Sequence, residues 1–347
     1  MISNARFEHD RVERIIRRDD GFVLISVLGL LIVLSLIASF VSAYSQQRIE
    51  LAEKIKQDIQ LKLDEKATMS TLLHLFSTRQ PTYGSLSLML QESASPAMLN
   101  SDSLLMRLDN RVYQGIGNIT FSLTDESSLL GLIDPDRDRW TSYLQSIGVN
   151  FSIADIFLDQ LQDYTDKDDL RRLNGAVEND YVNARMTPPA HRFMVSPGQV
   201  FNLLSAPQWK GWLHHSMPYI TETSGQVINI NTMPKVLLAS LPGIEDELAT
   251  QIVMERDKKP FESLPDANQR LGAILPLDAL STRFYFDNYI RVILRRSDIQ
   301  CRQQRWVGIS LSPDSIVVPW EVSYAFDYTD NQPCQAASKL DFKPFFH

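Results

Sequence analysis

From Phe22 to about Tyr44 the chain carries no charged side chain, and apolar residues fill most positions. A helix rises about 1.5 Å per residue, so this run is long enough to cross a hydrocarbon core about 30 Å thick. Beyond Tyr44 the apolar positions thin out to one side without a break. Ile49, Ala52, Ile55, Ile59 and Leu63 recur at helical spacing, and Leu72, Leu73 and Phe76 extend the stripe. No proline or glycine interrupts residues 44 to 76, and polar residues occupy the other side. Arg79-Gln80-Pro81 then ends the pattern, because proline cannot continue the hydrogen-bond ladder. These stretches predict one rod: a membrane-spanning helix over 22–44 and an amphipathic extension over 45–78.

The remaining pattern changes period twice. Residues 104 to 133 alternate well enough around Asn118 to Leu123 to predict strands. Helical spacing follows in WTSYLQSI, IADIFLDQLQDY, PGQVFNLL, MPKVLLASL and EDELATQIVMERD, separated by proline- and asparagine-rich turns. Alternation returns in FYFDNYIRVILRR, QQRWVGISL and SIVVPWEVSYAFDY. Strands, a helical block and more strands predict an α+β fold: a sheet domain whose parts, 79–133 and 284–347, flank an inserted helical domain over 134–283.

Charge orients the anchor. Arg11, Arg14, Arg17 and Arg18 precede the apolar run, which predicts an N-terminus in the cytoplasm and a C-terminal domain on the far side of the membrane. The run is too long for an ordinary secretory signal, whose apolar region spans about 7–15 residues. A net charge of −8 argues against broad phosphate neutralisation. Catalytic motifs are missing: the sequence has no G-x-S-x-G, H-E-x-x-H or phosphate loop, and Gly115-Ile-Gly117 lacks the third glycine of a dinucleotide fingerprint. Adjacent His214 and His215 tend to point apart, and a turn between Trp212 and Pro218 accounts for them. Cys301 and Cys334 are a pair able to form a disulfide in an oxidising compartment, or else two small apolar residues.

Two segments of the helical block hold candidate chemistry. In "LQDYTDKDDLRRLNGAVENDYV", residues 161 to 182, Asp163, Asp166, Asp168 and Asp169 lie close together, with Glu178 and Asp180 across an Asn174-Gly175 turn. A charge run usually reads as a solvated loop; carboxylates gathered by a turn also suit a hard cation such as calcium. This is no EF-hand. Asp134, Asp136 and Asp138 have the opening spacing, but Arg139 and Gln145 stand where glycine and glutamate are needed. The second segment, "GQVININTMPKVLLASLPGIEDELATQIVMERDKKPFESL", residues 225 to 264, has the form of a helix-hairpin-helix. That motif often grips DNA phosphates, which makes a membrane-anchored DNA-uptake protein the rival reading. Here Glu245, Asp246 and Glu247 follow the hairpin and repel phosphate, so a packing role is expected and no nucleic-acid partner.

A basic leader, Gly21, Phe22 and an apolar helix that turns amphipathic resemble the signal of type IV pilins and pseudopilins. In those families a prepilin peptidase cuts after the glycine and methylates the new N-terminal residue. The resemblance thus implies a leader over 1–21 and processing at Gly21 and Phe22. Ser26 stands where most pilins carry glutamate, as suits a subunit with no neighbour ahead of it. The acidic run followed by Gly175, Ala176, Glu178 and Tyr181, together with I-N-x-N-T-x-P…L-P-G-I…R…P-F, is similar to the K-type minor pseudopilins of type II secretion (general secretion pathway protein K). That resemblance implies a pilin-like long helix packed on a sheet, with an inserted all-helical domain, SAM-like or helix-hairpin-helix-like. It implies a structural calcium at the acidic loop (163–181) and no enzymatic activity. It also implies I- and J-type minor pseudopilins, prepilin peptidase and inner-membrane lipid as partners at the tip of a periplasmic pseudopilus. A minor type IV pilin is the nearest alternative.

Overall fold

The computed structural model describes residues 20–88, 105–296, 302–312 and 315–330. The chain divides into two compact units, Met1–Gln60 and Leu61–His347. Helix α1, Asp20–Thr78, is unbroken and ends before Pro81, as the missing helix breakers and the closing proline require. In the first unit its side chains from Phe22 to Gln60 are all exposed.

The second unit begins with the last turns of α1. Short strands β1 (Pro81–Thr82), β2 (Ser85–Ser87) and β3 (Leu105–Arg107) form an antiparallel three-stranded sheet. Strands β4 (Asp109–Gln114) and β5 (Ile119–Asp125) come next, followed by β6 (Leu130–Gly131). The helical block comprises α2 (Arg137–Ser146), α3 (Phe151–Thr165), α4 (Glu178–Asn183) and α5 (Ala206–Ser216). Strands β7 (Ile220–Thr221) and β8 (Ile228–Asn229) lead to α6 (Lys235–Leu238), α7 (Asp246–Lys258) and α8 (Leu264–Leu271). Strands β9 (Thr282–Arg283), β10 (Tyr289–Arg296), β11 (Gln303–Leu311) and β12 (Trp320–Thr329) complete the described chain.

A five-stranded antiparallel sheet in the order β12-β11-β10-β5-β4 joins the strands on either side of the helical block. Strand β10 sits beside β5, with Val292 opposite Leu123, although the two are separated in sequence by every helix from α2 to α8. Successive side chains on a strand face opposite sides, and β10 is buried on both. Ile290, Val292 and Leu294 pack with Leu72, Leu75 and Phe76 of α1. Ile293 joins Trp306 and Tyr324 in a second core with Trp140, Phe157 and Phe261 of the helical block. The glycines of the β4–β5 turn are explained by α1. A Cβ on Gly117, whose φ is +57°, would lie 2.1 Å from Asp64 Oδ2, and Ile116 N–H donates to Thr68 Oγ1 at 3.0 Å.

Several boundaries differ from the sequence reading. PGQVFNLL forms a 3-10 turn over Pro197–Asn202 instead of a helix, and α5 follows it. His214 and His215 lie in the last turn of α5, not in a loop. Only Lys235–Leu238 of MPKVLLASL is helical. The strands expected from Phe284 and Ser315 begin at Tyr289 and Trp320. Asp136, from the rejected EF-hand spacing, caps α2 by accepting from the N–H groups of Asp138 and Arg139.

Candidate functional site

Three features were singled out in the sequence: the apolar rod, the acidic loop and the I-N-x-N-T to P-F segment. The rod holds the one helix, among the described residues, long and apolar enough to cross a membrane, with a mean hydropathy of 2.8 over its best window. Ser26 does not present a free hydroxyl there. Its Oγ donates to Phe22 O, one turn back, at 2.9 Å. Gly21 lies inside α1, and the leader before Asp20 falls outside the described residues, as do Cys301 and Cys334.

The acidic loop is tied down by its own arginines. Arg172 Nη1 lies 2.5 Å from Asp163 Oδ1 and 2.6 Å from Asp166 Oδ2, bridging the two carboxylates. The Arg172 N–H also donates to Asp163 Oδ2 at 3.1 Å. Paired with both carboxylates, the guanidinium holds its proton even more firmly than usual. Gly175 has no space for a side chain, since a Cβ would stand 1.7 Å from Asp163 Oδ2. Arg171 reaches Asp180 at 3.4 Å and Arg137 reaches Asp159 at 3.0 Å. Asp168 and Asp169 accept from the N–H groups of Leu170 and Glu178, and both are exposed, as is the Glu178 side chain.

Calcium takes about 6–8 oxygen ligands. Among the described residues no three His, Cys, Asp or Glu side chains gather as a metal would require. One atom, Asp166 Oδ1, is buried without a hydrogen-bond partner, but the gap between Asp163 and Asp166 is filled by guanidinium. This arrangement does not fit the ion.

The I-N-x-N-T segment turns inward. Asn229, Asn231 and Thr232 are all buried. Asn229 Nδ2 donates to Asp125 Oδ2 at 3.2 Å and to Tyr285 O at 2.9 Å, while its N–H reaches Ser128 Oγ at 3.0 Å. Thr232 Oγ1 donates to Asp125 Oδ2 at 2.8 Å. Asn231 Nδ2 donates to Phe261 O and Phe284 O, and its carbonyl accepts from Phe261 N–H. Arg256, the arginine of this segment, is buried as well, giving Nη1 to Ile230 O and Met233 O. Burial lowers its pKa to about 10, so it stays charged at neutral pH. The hairpin itself is apolar and acidic: Leu241 and Ile244 are buried, and Glu245, Asp246 and Glu247 occupy the start of α7. Lys235 Nζ is paired with Asp246 at 2.9 Å. Backbone N–H groups faced by three acids do not suit phosphate.

Next to Asp125 lies a charged counterpart. Glu126 Oε1 accepts from Arg291 Nε at 2.7 Å and from Tyr324 OH at 2.6 Å. Arg291 also donates to Pro218 O and Ile220 O and lies over the Trp306 ring. Burial pushes the Asp125 carboxyl up to about 6, against the pull of hydrogen bonds from Ser127, Thr232 and Asn229. Burial and the nearby Glu126 charge raise Glu222 to about 8.

Residues 228–284 match the family model for type II secretion system (T2SS), protein K. Over this segment the chain is similar to protein K of type II secretion. Protein K is a minor pseudopilin, a structural part of the secretion machinery, and the α+β architecture agrees. The chain is similar in fold to a chain of "the GspK-GspI-GspJ complex from enterotoxigenic Escherichia coli Type 2 Secretion System", with a TM-score of 0.50 and 13% identity. The likeness covers 82% of this chain and 100% of that one. No curated protein matches the chain. The segment matched by the protein K family runs from β8 to the residue before Tyr285, and so holds the three pins Asn229, Asn231 and Thr232. Their distant partners Asp125 and Ser128 lie outside it and carry no signal of the pairing in the sequence.

Proposed function

We propose that this chain is a minor pseudopilin of the protein K type that sits at the tip of a periplasmic pseudopilus and caps it together with I- and J-type minor pseudopilins. On this reading it is inserted in the inner membrane with its N-terminus in the cytoplasm, and prepilin peptidase removes the leader after Gly21. One observation carries the tip position. Seven helices stand between two strands, β5 and β10, that are neighbours in one sheet. A sheet domain loaded with a second domain in this way is poorly suited to stacking beneath identical copies, and at the tip nothing stacks above it. Ser26 agrees, since its hydroxyl is satisfied within its own helix and leaves no carboxylate for a subunit ahead.

The partner assignment rests on the resemblance to a chain solved in a three-component complex. The full-length chain, extracted in detergent, should co-purify with the I- and J-type pseudopilins of the same system and run with them as one species in size-exclusion chromatography. Elution of all three as separate species would overturn the assignment.

A further inference from the structure

The segment matched by the family model has no role in the proposed function, yet it makes a buried polar network in the head. Four stretches of chain meet there: the end of β5 with the turn after it, residues 229–232, the loop at Phe261 and residues 284–285. Asp125, 1% exposed, takes four donors: Ser127 N–H at 3.1 Å, Ser127 Oγ at 2.6 Å, Thr232 Oγ1 at 2.8 Å and Asn229 Nδ2 at 3.2 Å. Asn229 and Asn231 then tie that strand end to the backbone of Phe261, Phe284 and Tyr285. The first and last of these stretches are those by which the chain enters and leaves the helical block, and the other two belong to the block itself. A parallel pair, β8 with β9, closes the same neck.

We propose that Asn229, Asn231 and Thr232 form a polar lock that fixes the helical insert to the five-stranded sheet, so that the two move and open as one body. The physical reason is directionality. Apolar contact between the sheet face and the helices is proportional to area and tolerates sliding and repacking. A buried hydrogen bond does not, because any slip strands a desolvated donor or acceptor. Between them the three side chains reach β5, the loop at Phe261 and residues 284–285, so rotation of the insert about its neck breaks several bonds together. The ion pair of Glu126 with Arg291 reinforces the lock from the sheet side, since Arg291 also holds the carbonyls of Pro218 and Ile220 at the end of α5. The inference stands independently of which subunits surround the head.

Hydrogen exchange followed by mass spectrometry on the full-length protein in detergent tests it. In the wild type, peptides from α2, α3 and α7 should exchange at the same slow rate as peptides from β5 and β10. In Asn229→Ala the helical peptides should lose protection by about tenfold or more while β5 and β10 keep theirs. Thr232→Val, which keeps the side-chain shape and removes one donor to Asp125, should give the same selective loss to a smaller degree. It serves as the test if Asn229→Ala does not fold. Loss of protection in step across insert and sheet, or separate protection levels already in the wild type, would overturn the lock.

Discussion

Asp125→Asn should change how the stability of the head depends on pH. The Asp125 carboxyl is fully buried, bound by neutral donors, and its pKa is raised from 3.8 to about 6. Below pH 3.8 the group is protonated in folded and unfolded chains alike. Between there and pH 6 the unfolded chain gives up the proton while the folded chain keeps it, so stability falls as pH rises. Above pH 6 both states are ionised and the loss is complete. A shift of about 2.2 units at about 1.36 kcal/mol per unit corresponds to about 3 kcal/mol. Asparagine cannot titrate, and its cost from a misdirected amide, about 1–3 kcal/mol, is the same at every pH. The gap between wild type and variant should therefore shift by about 2.4 kcal/mol in the variant's favour from pH 4 to pH 7, since part of the loss already occurs below pH 4. That corresponds to about 5–10 °C in relative melting temperature for a large domain. Glu222, raised to about 8, acts with the same sign at higher pH, but it is present in both proteins and drops out of the difference. Melting curves of the detergent-extracted protein, followed by tryptophan fluorescence, give the comparison. A wild-type-to-variant gap that stays constant from pH 4 to pH 7 would refute the buried, cation-free carboxylate.

Gly175→Ala places a Cβ 1.7 Å from Asp163 Oδ2 and must push that carboxylate off Arg172, so a loss of about 2–3 kcal/mol is expected in chemical denaturation; an unchanged midpoint would contradict the close packing. Arg172→Gln should lower the melting temperature, while EGTA should leave the wild type unchanged, since the guanidinium already neutralises Asp163 and Asp166. A drop on chelation would put a divalent ion in the loop after all. Mass spectrometry of the membrane-extracted chain should find methylated Phe22 at the N-terminus; an intact Met1 would remove the peptidase from the pathway.

The legible parts of this fold were those whose signal is local. A charge-free run of apolar residues predicts α1 without reference to anything else, and helical spacing marks α2, α3 and α7. Helices α5 and α8 are short and carry Pro207 and Pro265 in their first turns, where proline is compatible with a helix start but breaks the local helical pattern. Strands of two or three residues such as β6 to β9 are shorter than any period can register. The pairing of β5 with β10 leaves no local trace, because every helix from α2 to α8 lies between them. At the acidic loop the carboxylates stand out in the sequence, whereas their pairing with Arg137, Arg171 and Arg172 depends on how the loop folds back on α3 and α4.

The direction in which the signature points has a functional consequence. Asn229, Asn231, Thr232, Arg256 and Phe261 all face inward, so the family-matched segment builds the head and offers little to a partner. Contacts with other subunits must be sought on surface that the fold leaves uncovered. Among the described residues α1 presents such a surface: Ile49, Ile55, Ile59 and Leu63 are each at least half exposed. Fully burying such a side chain is worth about 1.5–3 kcal/mol, and four in one stripe are a strong driving force for helix association beyond the lipid-facing run. If that stripe is the assembly surface, a kink within it should be far worse for secretion than a change inside the membrane that loses only an intrahelical bond. Ile55→Pro removes a backbone bond and bends the stripe at a cost of about 3 kcal/mol, whereas Ser26→Ala loses only the contact to Phe22 O. A secretion assay should find Ile55→Pro near null and Ser26→Ala near wild type. The reverse order would move the assembly surface from the amphipathic stripe to the serine.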